Sequence, residues 1–211
     1  MKKYLPLLSL VIFASCSSPN SNKVNKPYFT TWEHYLGDPE RTHFSNLKQI
    51  DTTNVSKLKL AWSYKSGGLQ EGRTTQIQTS PLMIENVLYG VNAAIELFAI
   101  NAKTGEEIWK FSPKTKDESG LGLNRGLNYW KSNGTDFGEN GSIDLRDGLG
   151  RDPSKLSVVS NTPGAVFKNI LIQGTRVGEG PGSSPGHIRA YDVLTGEILW
   201  TFHTIPQPGE F

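Results

Sequence analysis

The chain spells one fifteen-residue pattern twice, first as LFAINAKTGEEIWKF at residues 97–111 and again as IRAYDVLTGEILWTF at residues 188–202. In each copy a short alternating run leads into a turn, and a second run ends in Trp-x-Phe. The turn opens on Asn101 or Asp192, whose side chains can cap it, and closes on a glycine that can adopt a positive φ. Six of the fifteen pairs are identical: Ala99 with Ala190, Thr104 with Thr195, Gly105 with Gly196, Glu106 with Glu197, Trp109 with Trp200, and Phe111 with Phe202. Each copy is therefore predicted to be a β-hairpin.

The similarity extends upstream, where PLMIENVLYGV (81–91) matches PGAVFKNILIQG (163–174). Each segment has two apolar runs split by a polar pair, so one unit is predicted to be four antiparallel strands in sequence. The second unit is longer because RVGEGPGSSPG (176–186) separates its second and third strands. A weaker third copy, LKLAWSYKSG at 58–67, places Trp62 where the closing tryptophan of a hairpin would stand.

A four-stranded unit repeated in tandem indicates a β-propeller. One such sheet cannot bury both of its faces alone and has to pack against the next. The alternative is a small β-sandwich with two hairpins that resemble each other by chance. Register, turn and tryptophan agree across both copies, so we expect an all-β fold, a partial β-propeller.

Composition excludes several classes of function. The 211 residues include 22 basic and 20 acidic side chains, and a formal charge of +2 gives no reason to expect a nucleic-acid partner. The glycine-rich segments lack the strand-then-helix order and the ending that phosphate-binding loops need. The four histidines have no metal-ligand spacing, and no Ser/His/Asp set is recognisable.

The N-terminus resembles an export signal. Lys2 and Lys3 precede an apolar run of ten residues, Tyr4 to Phe13, which is too short to span a bilayer. Cys16, the only cysteine, follows small residues at the position of signal cleavage, as in the lipobox of bacterial lipoproteins. We expect Cys16 to be lipidated and to anchor the protein on the periplasmic side of a membrane. The alternative is an ordinary secretory signal with an incidental cysteine.

These features predict three regions: a lipoprotein signal peptide at 1–16, a polar linker at 17–30, and a partial propeller at 31–211. A single cysteine also leaves no internal disulfide and no CxxCH site for covalent haem.

The pattern A-x-[ND]-x-x-T-G-x-x-x-W, met at 99–109 and 190–200, resembles the tryptophan docking motif of quinoprotein dehydrogenases. Those proteins are eight-bladed propellers that carry pyrroloquinoline quinone (PQQ) with calcium or magnesium. More specific similarities lie in WEHYLGDPERTHFSNLKQIDTTNVSKLKLAWSY (32–64), in NRGLNYW (124–130) and in the segment from RVGEGPG to the end of the chain. The likeness is greatest to the branch that includes glucose and quinate dehydrogenases.

The resemblance implies a set of site residues. PQQ is a planar tricarboxylate, so it needs guanidinium, amide and hydroxyl donors, and its metal needs oxygen ligands. Arg125 matches the family's cofactor-binding arginine, and Gln78 falls where relatives often have a glutamate that contacts the cofactor. Ser160 and Thr162 lie where the family places one hydroxyl on the cofactor, and either could be that residue. Glu179 lies near a carboxylate that binds the metal, although a solvated loop glutamate is the plainer interpretation.

The sequence departs from the family pattern in two ways. The stretch Ser112–Thr162 has 51 residues with hardly a strand-like run, and Trp130 is only seven residues from Phe137. The family has strands and another docking hairpin there, so a hairpin of roughly thirty residues is expected to be absent. The resemblance also places the catalytic aspartate beyond Phe211, so no catalytic residue is expected among these 211 residues.

The resemblance thus predicts the N-terminal part of a PQQ-dependent dehydrogenase. Its substrate is expected to be a sugar, polyol or alcohol, and its electron acceptor a respiratory quinone or a cytochrome. The alternative is a non-catalytic propeller lipoprotein of the kind that serves as a scaffold in outer-membrane protein assembly. Such scaffolds share the signal and the docking hairpins but lack NRGLNYW and GPGSSPGHIRAYD, which favours the enzyme.

Overall fold

The computed structural model describes residues 31–69, 71–72, 75–113, 123–132, 134 and 136–210. Two four-stranded antiparallel sheets account for its strands. In the first sheet β1 (Leu82–Ile84), β2 (Val87–Val91), β3 (Leu97–Asn101) and β4 (Glu107–Phe111) lie in sequence order. In the second, β5 (Ala165–Phe167), β6 (Ile170–Gln173), β7 (Ile188–Asp192) and β8 (Ile198–Phe202) do the same. The predicted four-stranded units are confirmed.

Two short 3₁₀ turns, Val55–Lys57 and Pro153–Lys155, complete the regular structure. Within the described part of the chain, no helix is long and apolar enough to cross a membrane.

The two hairpin turns form as the sequence predicts. The Asn101 side chain accepts hydrogen bonds from the amides of Lys103 and Thr104 at 2.9 and 3.1 Å. Asp192 caps the second turn in the same way: its side-chain oxygen accepts hydrogen bonds from the amides of Leu194 and Thr195 at 2.7 and 3.1 Å. The glycines that close the turns have φ values of 76° and 80°. Both hairpins also shift register at the same point, after Ala99 and after Ala190.

The buried apolar residues of the sheets lie in β1 to β3 and in β7. Ala99 and Ala190 are fully buried, and Ile100 and Tyr191 are 2% exposed. Among the described strands, no Cα atom of the first sheet lies within 8 Å of one in the second. The outer strands β4 and β8 are mostly exposed, and Trp109 keeps 42% of its surface in contact with solvent.

Trp62 does not close a third hairpin, which corrects that expectation. Residues 58–68 form no strand, and the indole of Trp62 instead packs on the turn of the first hairpin. Its Nε1 donates a hydrogen bond to the carbonyl of Ala102 at 3.1 Å. The similarity at 58–67 therefore reflects a tryptophan that docks on a neighbouring turn rather than a strand pair of its own.

Residues 136–149, which we call the cap segment, cover the turn of the second hairpin. The amides of Asp136 and Gly138 donate to the carbonyls of Leu194 and Thr195 at 3.0 and 2.8 Å. Arg189, only 1% exposed, donates from β7 to the carbonyls of the cap segment at Leu145 and Asp147. Between β4 and β5 the described residues form no strand, as the sequence predicted. The cap segment thus covers the second turn, whereas Trp62 covers the first.

Candidate functional site

The chain segments that lead into the two sheets meet around Arg125. The backbone N–H of Ser80, just before β1, donates to the carbonyl of Arg125 at 2.8 Å. The backbone N–H of Arg125 in turn donates to the carbonyl of Asn161, just before β5, at 2.9 Å. Ser80 and Gly126 form a parallel bridge. Arg125 is therefore held by its backbone between the beginnings of both sheets.

Asn124 stiffens this connection. Its side-chain oxygen accepts the amide of Gly126 at 2.9 Å, and its carbonyl accepts the hydroxyl of Thr79 at 2.9 Å. Sequence reasoning missed Asn124, although an Asx residue two positions before a buried glycine is a turn signal that could have found it. Thr79, Asn124 and Arg125 thus form one rigid unit.

The guanidinium of Arg125 projects from that unit into solvent. The residue is exposed, and its side chain makes no hydrogen bond or ion pair with another described residue. Because its backbone is already fixed and its donors are unpaired, binding a carboxylate has to order only the side chain and breaks no existing hydrogen bond.

Gly126 serves a purpose different from the one expected beside a cofactor. A Cβ at this position would collide with the ring of Tyr35 and would lie 3.4 Å from Pro163. The residue is buried. The close approach that glycine permits here is therefore to Tyr35, and it fixes the loop rather than contacting a ligand.

The two hydroxyl candidates share one groove of about 490 Å³. Ser160 and Thr162 are exposed and line this groove together with Asn124. The hydroxyl of Ser160 donates to the carbonyl of Thr162 at 3.2 Å, whereas the Thr162 hydroxyl has no partner among the described residues. Both side chains can therefore reach a ligand in the groove, and Thr162 can do so without breaking a bond.

Gln78 lies exposed directly before Thr79, on the first-sheet side of Arg125. Its amide makes no hydrogen bond within the described part of the chain, so both its donor and its acceptor are available. It does not line the groove that holds Ser160 and Thr162. The structure thus brings Gln78 near the Arg125 loop but not to the hydroxyls.

Glu179 lines a separate cleft of about 440 Å³. One wall of this cleft is the backbone pair of Val159 and Arg176, joined by hydrogen bonds of 3.0 and 2.7 Å. Ser157 and Val159 face this cleft, whereas Ser160 and Thr162 face the other groove. The carboxylate and the hydroxyls therefore lie on different sides of the segment 157–162.

The described residues supply one carboxylate for a metal and no more. None of them form a group of three His, Cys, Asp or Glu side chains that could hold a metal ion. Calcium takes six to eight oxygen ligands, of which Glu179 can offer at most two. Glu179 would have to be joined by the cofactor itself or by other groups.

The donors present fit part of a tricarboxylate. Arg125 offers a guanidinium, and Ser160 and Thr162 offer hydroxyls, all exposed. Close by, the side-chain oxygen of Asn161 is buried without a hydrogen-bond partner among the described residues. Such an oxygen next to free donors is common where a ligand or ordered water completes the network. The chemistry of the set therefore agrees with PQQ as one wall of its site.

Comparison with known proteins points to one family. Residues 32–136 and 132–211 match the family described as PQQ glucose/ethanol/alcohol dehydrogenase, β-propeller domain. The chain is 29% identical to quinoprotein glucose dehydrogenase A of Acinetobacter calcoaceticus, over 82% of this chain and 28% of that protein. It is 25% identical to a quinate/shikimate dehydrogenase (quinone) of Acinetobacter baylyi, over 85% of this chain and 29% of that protein.

A solved structure shares the fold. The quinohemoprotein alcohol dehydrogenase from Comamonas testosteroni superposes with a TM-score of 0.67 and 26% identity, over 87% of this chain and 28% of that chain. This chain therefore spans less than a third of the length of the relatives it matches.

The match to the glucose dehydrogenase also bears on the missing hairpin. It extends over 228 positions, more than the 211 residues of this chain, although it covers only 82% of them. The relative consequently has residues without a counterpart here, and the two family matches meet at 132–136, where the hairpin is expected to be absent. With its two matching sheets and the Arg125 loop between them, the chain belongs to the PQQ-dependent glucose/ethanol/alcohol dehydrogenase β-propeller family.

Proposed function

We propose that this chain forms the cofactor-binding N-terminal part of a PQQ-dependent dehydrogenase that oxidises a sugar, polyol or alcohol. The observation that carries the proposal is Arg125, whose backbone is bonded to both sheets while its guanidinium remains free. The similarity to glucose, quinate and alcohol dehydrogenases supports the substrate class. The match to a dehydrogenase family favours this function over a non-catalytic scaffold.

In this proposal each candidate residue binds or orients. Arg125 neutralises one carboxylate of PQQ, and its fixed backbone sets the position of that carboxylate relative to both sheets. Ser160 and Thr162 donate hydroxyl hydrogen bonds from their shared groove, and Gln78 offers an amide from the other side of the loop. When bound, PQQ supplies the two-electron oxidant.

Glu179 would contribute oxygen ligands to calcium or magnesium. The carboxylate of Glu179 and those of PQQ repel one another, and a cation held by Glu179 would offset that repulsion. PQQ and the metal are therefore expected to bind together, each tighter in the presence of the other.

The proposal extends to the location and the partners of the protein. Cys16 lies outside the described residues, and we infer that it carries a lipid which holds the chain at the periplasmic side of a membrane. Electrons would then pass to a respiratory quinone or a cytochrome. The names of two relatives, which include "quinone" and "quinohemoprotein", support both types of acceptor.

The test measures the binding of PQQ to the 211-residue chain through fluorescence quenching, with and without calcium. Arg125→Met should weaken binding by about 10- to 150-fold, as for one charge-assisted contact of about 1.5 to 3 kcal/mol. Lys48→Met removes an exposed cation that has no side-chain partner among the described residues; it is the control and should leave binding within about twofold. Saturable binding that is lost equally in both variants, or no binding at all, would contradict the proposal.

A further inference from the structure

Two histidine rings meet where the chain enters and leaves the second hairpin. His187 immediately precedes β7 and His203 immediately follows β8. Their ring centroids are 4.4 Å apart, with the planes inclined by 53°. His187 is only 8% exposed, and its Nδ1 is buried without a hydrogen-bond partner in the described part of the chain. The His187 ring is therefore buried at this contact, whereas the His203 side chain is 31% exposed.

Residues 203–210, which we call the tail loop, are folded back on this contact. His203 Nδ1 lies 2.5 Å from a carboxylate oxygen of Glu210, and the other oxygen accepts the amide of Gln207 at 2.7 Å. The hydroxyl of Thr204 donates to the carbonyl of Gly186 at 3.2 Å. Glu210 thus closes the tail loop on itself. The loop is joined to the start of β7 by the contact of His203 with His187 and by the hydrogen bond of Thr204 to Gly186.

The charges around the two rings differ. The ring of His203 lies against the carboxylate of Glu210. A proton on His187 faces the guanidinium of Arg189 and the ring of His203, while Glu210 acts on it more weakly. Arg189 cannot move away, because it is 1% exposed and bonded to the backbone of the cap segment.

We propose that His187 and His203 form a pH-sensitive latch, which releases the tail loop when both rings carry a proton. Two imidazolium rings 4.4 Å apart beside a fixed guanidinium repel one another. His187 can hold a proton only by separating from His203 and reaching solvent. Because His203 is the first residue of the tail loop, that separation undocks the loop.

The direction of the pH response follows from His187. Burial lowers its pKa below the ordinary 6.5, and the charges of His203 and Arg189 lower it further. A histidine whose pKa is lowered in the folded state stabilises that state above its unfolded pKa, and loses this contribution as the pH falls. The tail loop is therefore firmly docked above about pH 6.5 and loosens below it.

The latch also reaches the Glu179 cleft. Gly186, which accepts the Thr204 hydroxyl, is the last residue of the 176–186 loop that carries Arg176 and Glu179. When the tail loop undocks, the hydrogen bond between Thr204 and Gly186 at the end of the 176–186 loop is lost. Acidification would thus loosen one wall of the cleft as well.

Hydrogen exchange of the 211-residue protein tests the latch. After correction for intrinsic rates, amide protection at Gln207 and Glu210 should fall at least about fivefold between about pH 7.5 and about pH 5. His187→Phe keeps a ring at the contact but cannot be protonated, so its protection should change by less than about twofold. His43→Asn is the control: it removes an exposed histidine at φ 57°, a conformation that asparagine tolerates, and should respond like the wild type. An equal response in wild type and His187→Phe, or no response in the wild type, would overturn the proposal.

A second measurement does not depend on that variant. In a histidine NMR titration of the wild type, the His187 ring should titrate below the ordinary histidine pKa of 6.5. His203→Gln should raise the midpoint of His187, because it removes the neighbouring charge. Titration of His187 at or above pH 6.5, or no upward shift in His203→Gln, would equally count against the latch.

Discussion

The indole ring of Trp62 lies directly on Gly105, the residue that closes the first hairpin turn. A Cβ on Gly105 would stand 2.6 Å from the ring, closer than atoms can pack, and Trp62 Nε1 donates to the carbonyl of Ala102 in the same turn. Glycine at this position thus serves two purposes: it adopts a φ of 76° and it leaves room for the tryptophan. The repeated turn is a docking surface as well as a chain reversal.

Trp62→Ala should destabilise the protein by about 2 to 3 kcal/mol, since it removes a half-buried ring together with its hydrogen bond. Trp109→Ala is the matched control. Trp109 is 42% exposed and its ring lies beside Tyr89 in the same sheet, so its loss should cost less than that of Trp62. Urea unfolding of both variants measures the difference. Equal destabilisation of the two variants would show that the contact of Trp62 with the hairpin turn adds nothing to the free energy of unfolding.

Arg189→Met should lower the free energy of unfolding by about 1 to 3 kcal/mol, because two carbonyls of the cap segment lose their buried donor. Arg125→Met should leave the stability of the ligand-free protein within about 0.5 kcal/mol, since that guanidinium is exposed. Thermal and urea unfolding measure both. The two substitutions should therefore differ in effect: Arg189 contributes to the stability of the fold, and Arg125 contributes to binding. A loss of stability in Arg125→Met as large as in Arg189→Met would assign Arg125 a structural role.

Tyr64 should ionise well above the ordinary pH for a tyrosine. Burial, together with the hydrogen bond and the negative charge of Glu107, raises its pKa to about 12. Because the pKa is raised in the folded state, Tyr64 stabilises the fold below pH 10, and this contribution is lost as the pH rises from 10 towards 12. Burial also raises the pKa of Tyr191, so ultraviolet titration should show two late tyrosines, and Glu107→Gln should move only the Tyr64 midpoint down. A Tyr64 transition unaffected by Glu107→Gln would exclude Glu107 as a cause.

Cys16 should carry the lipid anchor. Mass spectrometry of the mature protein should find a diacylated or triacylated N-terminal cysteine, and Cys16→Ala should release the protein from the membrane fraction. A soluble wild-type product that begins at another residue would indicate an ordinary secretory signal.

The sequence by itself determined the two hairpins and the four-strand units. Their signals act over a few residues, because Asn101 caps the amides of Lys103 and Thr104 and glycine closes the turn. Alternating apolar residues then fix which side of each strand is buried. The absence of strands in the described part of Ser112–Thr162 was predictable for the same local reason.

The candidate site could be named residue by residue only through resemblance, and its assembly depended on contacts far apart in sequence. The hydroxyl of Thr79 reaches Asn124 across 45 residues, and Trp62 reaches Ala102 across 40. Nothing local distinguishes a tryptophan that closes its own hairpin from one that docks on another turn, so Trp62 was misplaced. The contact between His187 and His203 likewise appears only once β7 and β8 pair. Local hydrogen bonds determined the strands and turns, whereas burial and long-range packing decided which of these residues meet.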